Sequence, residues 1–444
     1  MIGTRRILGT LVPVCMAAIL VSGCTQVKRV IGVEKQLEEA RATGRIEGRI
    51  ETSGPADGTL VVLLARPAKS AEEGPTGVDT FVRVEPGNFA FAVSPGRYQL
   101  GAYLDQNRNG LLDPDEPVLR LRNRQILDVK GRDVIRHDLT IPLDGRAVNL
   151  TKPVDILGLV ERTPREQQQF SLWALSVQGE ICENLDDDKF GPNTGLRGLW
   201  EMMDFLSAGI AGVYFLEPYD PHRIPVLFVH GISGYPQQFS TLFDELDRER
   251  FQPWFYYYPS GFGLEGISRH LATILERLHV KHGFSEMAIV AHSMGGLVSR
   301  GAIFKYQEET RRDDIGLFIS ISTPWGGDVK AARAGGAPFE LPLSFRDMNP
   351  EGDYIGSVFY EDEDRETERH LPDEVEYHMI FGFRMSGSND VAADGTVTVA
   401  SQARLQVQEE ARTIRAFDYG HVDILHSPEM VARLNLLLER RFFD

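Results

Sequence analysis

Cysteine is scarce: three in 444 residues, at Cys15, Cys24 and Cys182. The first two fall inside an N-terminal leader. The chain beyond it keeps one cysteine, which excludes an internal disulfide framework and a thiolate zinc cluster. Cys182 reads as a small buried residue. Positive charge is also short, with 47 Lys and Arg against 64 Asp and Glu and a formal charge of −17. No stretch gathers the basic residues that phosphate binding requires, so no nucleic acid is expected as a partner. After Cys24 no apolar run reaches the length of a membrane span; FLSAGIAGVYFL, at 205–216, is too short. Internal repeats and low-complexity runs are absent. What remains is an ordinary globular balance, 42% hydrophobic and 25% charged, in a chain long enough for two or three domains.

The leader itself, MIGTRRILGTLVPVCMAAILVSGC, has a basic start at Arg5 and Arg6. An apolar stretch from Ile7 to Val21 and small residues before Cys24 follow. This is the layout of a secretory signal. Val21-Ser22-Gly23-Cys24 resembles the lipobox of bacterial lipoproteins. The resemblance implies that residues 1–23 are a signal peptide, that cleavage precedes Cys24, and that Cys24 is acylated on sulfur and on its new amine, with palmitate a typical acyl group. Several acyl chains anchor a protein stably where one is marginal. A membrane helix or a plain cleaved signal are the alternatives. By the same resemblance, Thr25 stands where Asp would favour inner-membrane retention, so the expected location is the outer membrane of a bacterial envelope. Residues 24–43 then read as the lipidated cysteine and a polar tether.

From Gly44 to about Val148 short alternating runs (GRIEGRIE, TLVVLLA, TFVRV, NFAFAV, GRYQLGAYL, DLTIPL) are separated by Gly, Pro, Asn and Asp. That pattern predicts a small all-β sandwich over 44–148. Residues 149–222 read as a bridging segment packed on the next domain. From 223 to 444 apolar strands (IPVLFV, PWFYYY, MAIVA, IGLFISIS, VEYHMIFGF, TIRAF) alternate with helical stretches (ISRHLATILERLHV, GGLVSRGAIFKY, PEMVARLNLLLERRF). Near-continuous apolar strands with helical crossovers predict a mostly parallel sheet with helices on both faces.

Within that alternation lies IVAHSMGGLV, Ile289 to Val298. A strand runs into His292-Ser293-Met294 and a helix follows at once. A serine at such a turn stands above the strand ends at a helix N-terminus, where main-chain N–H groups favour negative charge. Ala291 and Gly295 supply the small residues that the turn needs on either side. The blander reading is a helix N-cap. A nucleophilic serine also needs a base and a carboxylate to orient it, in the chain order Ser, Asp or Glu, His. ADGTVTVASQ offers Asp394, with Asp390 as a rival four residues earlier, and YGHVDILHSPEM offers His421, with His426 as the rival.

Together with VLFVHGISG (Val226 to Gly234) and STPWGG (Ser322 to Gly327), these stretches resemble the lipase branch of the alpha/beta-hydrolase superfamily. Bacterial triacylglycerol lipases and lipases related to GPI inositol-deacylases are the nearest in pattern. His230-Gly231-Ile232-Ser233-Gly234 matches the branch's H-G-x-x-G, Asp394 to Ser401 its D-G-x-V-x-x-x-S, and His421 to Glu429 its H-x-x-x-L-x-x-P-E. The departure is Ala291, in place of the first glycine of G-x-S-x-G. The resemblance implies Ser293 as nucleophile, His421 as base, Asp394 as its orienter, and the N–H groups of Ile232 and Met294 as the oxyanion hole, with a structural role for His230. It also implies an ester or lipid substrate, no cofactor for catalysis, and a cap over about 325–372. Phe339, Leu341, Phe345, Tyr354, Phe359 and Tyr360 there either line an acyl pocket or pack. The expected activity is serine carboxylester hydrolysis by an esterase or lipase. An acyltransferase with the same triad and a non-catalytic envelope binding lipoprotein are the alternatives.

One more motif lies in the sandwich. DQNRNGLLDPDE, Asp105 to Glu116, has the EF-hand ligand spacing: Asp105, Asn107, Asn109, the Leu111 carbonyl, Asp113 and Glu116, with Gly110 at the sharp turn. This predicts a structural calcium site. An Asn-Gly hairpin turn with acidic flanks is the alternative.

Overall fold

A computed structural model of the chain describes residues 44–67, 76–83, 86–93, 95–109, 111–119, 126–131, 133–145, 150, 152–156, 176–328, 341–362, 364–384 and 393–443. The signal peptide, Cys24 and the tether lie outside these residues, as do Gly110, Phe339 and Asp390.

The first region is built from β1 (Gly44–Thr52), β2 (Thr59–Arg66), β3 (Thr76–Arg83), β4 (Gly87–Val93), β5 (Gly96–Asp105), β6 (Val118–Leu119), β7 (Leu127–Val129), β8 (Val134–Arg136) and β9 (Leu139–Ile141). One sheet runs β4-β1-β8, with β9 also on β1; the other runs β3-β2-β5-β6, with β7 also on β5. Side chains alternate across a strand, and every second residue meets in one apolar core: Ile46 and Ile50, Leu60, Val62 and Leu64, Phe89, Phe91 and Val93, Tyr98, Leu100 and Leu104. TLVVLLA breaks the alternation for a reason the structure supplies. Its outer positions, Val61 and Leu63, pack with Tyr103, Val118, Ile156 and Val280, so the β2 sheet is covered on both faces.

The second region comprises β10 (Val177–Ile181), α1 (Pro192–Trp200), α2 (Met202–Ser207), β11 (Gly212–Phe215), β12 (Ile224–Val229), α3 (Ser240–Asp244), β13 (Phe251–Tyr257), α4 (Leu264–His282), β14 (Met287–His292), α5 (Met294–Thr310), β15 (Ile315–Ile321), α6 (Leu343–Asp347), α7 (Asp353–Ser357), β16 (Glu376–Gly382), α8 (Val399–Gln402), α9 (Leu405–Glu410), β17 (Thr413–Phe417) and α10 (Pro428–Phe442). Val280, which packs on the sandwich, belongs to α4.

The sheet order is β10-β11-β13-β12-β14-β15-β16-β17, and every neighbouring pair is parallel except β11–β13. This is an α/β-hydrolase fold. Alternate residues of the central strands feed two cores. Leu227, Val229, Ile289 and Ala291 face α4 and α5, while Val226, Phe228, Ala288 and Val290 face α3 and α10.

The segment expected as a bridge turns out to be part of this sheet. β11 pairs along β13 from Gly212–Tyr257 to Phe215–Trp254, and β10 pairs with β11. β13 is buried along its whole length. An open edge there would leave its main-chain groups unpaired away from water, and β11 satisfies them. Phe205 of α2 seals the same end, edge-on to Tyr257 at 4.9 Å between ring centroids.

From β12 the chain goes to β13 on one side and returns to β14 on the other. In open α/β sheets such a reversal opens a crevice outside the carboxyl ends of the strands. His230 to Gly234 leaves β12 there, and Ser293 leaves β14 there.

Candidate active site

Ser293 is the single residue between β14 and α5, with φ 56° and ψ −131°. A non-glycine residue with positive φ is strained. Here it is held by its N–H, which donates to the Ile321 carbonyl at 2.8 Å, and by its own carbonyl, which accepts from Gly296 N–H at 3.0 Å. The turn leaves no room around it. A Cβ on Gly231 would stand 2.6 Å from Ser293 Cβ, and one on Gly295 would stand 2.4 Å from the Val229 carbonyl oxygen.

The structure brings the three expected side chains together from distant parts of the chain. Ser293 Oγ lies 2.9 Å from His421 Nε2, and His421 Nδ1 lies 2.6 Å from Asp394 Oδ2. With Asp394 accepting at Nδ1, the neutral imidazole presents a bare Nε2 to the serine hydroxyl. Asp394 is 1% exposed. Its other oxygen accepts from Thr396 N–H at 2.9 Å and Val397 N–H at 2.8 Å. Burial pushes this carboxyl upward, but the bond and charge of His421 and the Val397 and Thr396 N–H groups outweigh it and hold it below the usual carboxylate range. The ring of His421 is therefore aimed by an ionised partner. His426, the rival base, has its Nδ1 2.7 Å from Thr241 Oγ1 on α3 and takes no part in this chain.

On the β12 side His230 is buried and stacks on Tyr258, 4.1 Å between centroids and 8° apart. Its Nδ1 is 2.7 Å from the Gly231 carbonyl, Tyr258 N–H reaches its Nε2 at 3.3 Å, and Tyr258 O–H donates to the His230 carbonyl at 2.5 Å. Burial depresses this imidazole to about 4, so it is neutral and pins the turn. Ser233 N–H is fixed by Ser260 Oγ at 2.8 Å, and Gly234 N–H by the Gly231 carbonyl at 3.0 Å. The Ile232 N–H just before them, and the Met294 N–H at the start of α5, donate to no hydrogen bond among the described residues. Both stay available to a ligand anion, Met294 with the helix start behind it.

For two groups of residues the structure decides between readings that the sequence left open. Tyr354 and Phe359 of the cap stretch pack into the core, 5% and 0% exposed. Tyr354 O–H donates to the Leu297 carbonyl at 3.0 Å and pairs with Ser268 Oγ at 2.6 Å. They join the cap to α4 and α5, while Leu341, Phe345 and Tyr360 of this set are half-buried. His292, for which the motifs assign no role, is 3% exposed and has its Nε2 2.8 Å from the His421 carbonyl. Sequence offered no signal for that bond.

In the Asp105–Glu116 loop the donors are closed on one another. Glu116 accepts from Gln106 N–H at 2.7 Å and Asp113 N–H at 2.9 Å, and Asp105 Oδ1 accepts from Asn109 N–H at 3.1 Å. Asp113 Oδ2 accepts from the Asn107 and Asn109 side-chain amides, while Leu111 N–H donates to Asn109 Oδ1. Among the described residues no three His, Cys, Asp or Glu side chains converge as a metal site. The hard oxygen donors suit calcium in kind, but Glu116 would have to release two N–H groups to chelate it.

The lecithin:cholesterol acyltransferase family matches residues 267–345 of this chain, a span that includes Ser293. No curated protein matches the chain. Solved structures similar to it include a Bacillus licheniformis lipase, BlEst2, in mature form, at 18% identity over 51% of this chain and 96% of that chain, TM-score 0.37. Others are the lin2722 product of Listeria innocua, at 18% over 50% and 96%, TM-score 0.37, and Aspergillus fumigatus lipase B, at 17% over 48% and 48%, TM-score 0.33. The fold assignment rests on the sheet order above.

Proposed function

We propose that this protein is a serine carboxylester hydrolase acting on lipid-like esters, held at a bacterial membrane through acylated Cys24. The observation that carries the proposal is the unbroken relay from Ser293 Oγ through His421 to buried Asp394. Ser293 Oγ attacks the ester carbonyl while His421 Nε2 takes its proton. Asp394 steadies the imidazolium, and the N–H groups of Ile232 and Met294 receive the oxyanion. Oxyanion donors of this type are each worth about 3–4 kcal/mol in the transition state. His421 then returns the proton to the leaving alcohol. A water molecule, deprotonated by the same imidazole, attacks the acyl-serine and restores the enzyme.

A second reading is favoured by the acyltransferase family match over 267–345. The acyl-serine would then pass to an alcohol instead of water, with the same residues in the same roles. The anchor is proposed from the lipobox resemblance, with the outer membrane as the expected location.

The test is fluorophosphonate labelling of the detergent-solubilised chain, with the adduct mapped by mass spectrometry. Ser293 is expected to carry the adduct. Ser293→Ala and His421→Ala are expected to abolish labelling and lower esterase turnover by about 10⁴-fold or more, without loss of fold. An adduct elsewhere, or labelling that survives His421→Ala, would sink the proposal. Product analysis with an added long-chain alcohol separates hydrolysis from acyl transfer.

A further inference from the structure

The triad reading accounts for what holds the His421 ring, but the rest of His421 also has to stay in register with a serine 128 residues away. Its main-chain N–H donates to the Asp394 carbonyl at 3.0 Å, and its ring leans on the Asp394 carboxylate. Both contacts come from the Asp394 turn, and neither refers the base to the nucleophile. The third contact does. His292 immediately precedes Ser293 at the end of β14, and its Nε2 lies 2.8 Å from the His421 carbonyl oxygen. A carbonyl only accepts, so this nitrogen must carry its proton and donate.

The surroundings keep the arrangement fixed. His292 is 3% exposed, and its ring centroid is 4.8 Å from that of His421. The charged or titratable groups that face it are His421, Asp394 and His230. Burial first, and the neighbouring His421 second, depress its imidazole to about 3. It therefore stays neutral when His421 takes the serine proton and adds no second positive charge beside the imidazolium.

Resting on the triad reading, we infer that His292 is a positioning residue: its Nε2–H bond to the His421 carbonyl ties the base loop to the strand that bears the nucleophile and sets the Ser293–His421 contact. A core histidine that only filled space would be replaceable by any side chain of similar shape. A positioning donor is replaceable only by another donor. The rate should therefore follow the N–H group and not the ring.

The test uses the detergent-solubilised chain and two variants. His292→Phe fills the ring space without a donor. His292→Gln places an amide nitrogen the same number of bonds from the backbone as Nε2. Turnover of a chromogenic ester and the rate of fluorophosphonate capture are measured for both beside the wild type. His292→Phe is expected to lower kcat and capture by about 10–100-fold with KM within about twofold, the scale of a displaced catalytic group. His292→Gln is expected to recover most of the loss. Should His292→Phe not fold, His292→Met, flexible and without a donor, takes its place in the same comparison. Equal loss in the Phe (or Met) and Gln variants, or no loss in the variant without a donor, overturns the inference. Failure of the wild type itself to capture the probe would instead overturn the triad reading beneath it.

Discussion

The interiors of the two regions differ in kind. Among the described residues the buried polar side chains of the sandwich region are few, Thr59, Asp105 and Glu116, and the two acids sit together in one loop at the end of β5 and beyond. The hydrolase interior contains His230, His270, Glu276, His292, Arg300, Asp314, His378 and Asp394, all under 7% exposed. A buried polar group left unpaired costs roughly 1–3 kcal/mol, and more if charged, so each of these must be held by specific partners. Four of them, His230, His292, Arg300 and Asp394, are on the strand ends, helix and loop that surround Ser293. The comparison teaches that one region was built for cohesion alone, while the other accepts internal polarity and fixes it in place.

Breaking the best-held of these charges should separate the regions most. Arg300, on the helix that starts at Ser293, has a fully buried side chain and pairs with Glu410 at 2.5 and 2.8 Å. It also donates to the Val358 carbonyl at 2.7 Å and the Arg369 carbonyl at 2.8 Å, clasping the cap stretch to the sheet. Arg300→Ala would leave a buried carboxylate without its partner and is expected to cost about 3–5 kcal/mol. Replacing both partners by apolar residues, Arg300→Met with Glu410→Leu, should restore much of that loss. The chain has four tryptophans, none within residues 44–148, and Trp200, Trp254 and Trp325 belong to the second region. Tryptophan fluorescence thus follows unfolding of the second region, and amide hydrogen exchange in β1, β2 and β5 follows the first. A fluorescence midpoint unchanged by Arg300→Ala, or a drop shared equally by the sandwich strands, would contradict the contrast.

Arg300 also marks where sequence stops being informative. Set in GGLVSRGAIFKY, it reads as the polar face of an amphipathic helix, yet α5 is buried on nearly every side because it lies against the centre of the sheet. The central strands were legible because a strand covered on both faces must be apolar at every position, as IPVLFV and MAIVA are. The motif residues were legible because a strained turn, a close glycine and an ordered base each restrict residue type locally. β10 and β11 were not legible. VQGEI and GVYF are short; GVYF joins the sheet by pairing to a β13 some forty residues on and VQGEI by pairing to GVYF, information that no local pattern carries. The bond from His292 to His421 is hidden for the same reason, since it depends on a loop far along the chain.

Acid should sharpen the contrast too, by a smaller amount for each group involved. Burial depresses His230 to about 4 and His292 to about 3, against an unfolded value near 6.5. Below that value the unfolded chain binds protons that the folded one refuses, so stability falls as pH drops from about 6.5 toward these folded values. At pH 5 the loss is roughly 2 kcal/mol for each of the two. Asp394 offsets nothing in this window, because its depressed folded value keeps its contribution intact until the pH falls below the usual carboxylate range. In the sandwich the sign is reversed. Burial raises Glu116, so the folded form takes up its proton first, and that contribution is present at low pH and lost as pH rises. Denaturant midpoints by fluorescence should fall between pH 7 and pH 5 while protection in the sandwich strands does not. A flat fluorescence midpoint over that range would mean that the two imidazoles titrate freely.

The smallest effect expected concerns the one place where, among the described residues, the sandwich holds buried acids. The loop's only cation, Arg108, is turned away to Asp57 at 2.5 Å, while Asp105 and Glu116 accept from main-chain N–H groups and Asp113 from two side-chain amides. If calcium displaces those N–H bonds, part of its binding energy is spent in opening the loop. Affinity should then lie at the weak end of oxygen-ligand sites, roughly 10⁻⁴–10⁻³ M. At about 1 mM calcium such a site adds roughly 0.4–1.4 kcal/mol to the folded state. The gain should appear as slower exchange in β5 and the loop, disappear on chelation, and be absent in Glu116→Gln. Esterase turnover should not change, since the sandwich supplies no residue to the Ser293 relay. No protection at about 10 mM calcium would leave the loop as an acidic hairpin turn. Protection that persists in Glu116→Gln would show that calcium binds elsewhere.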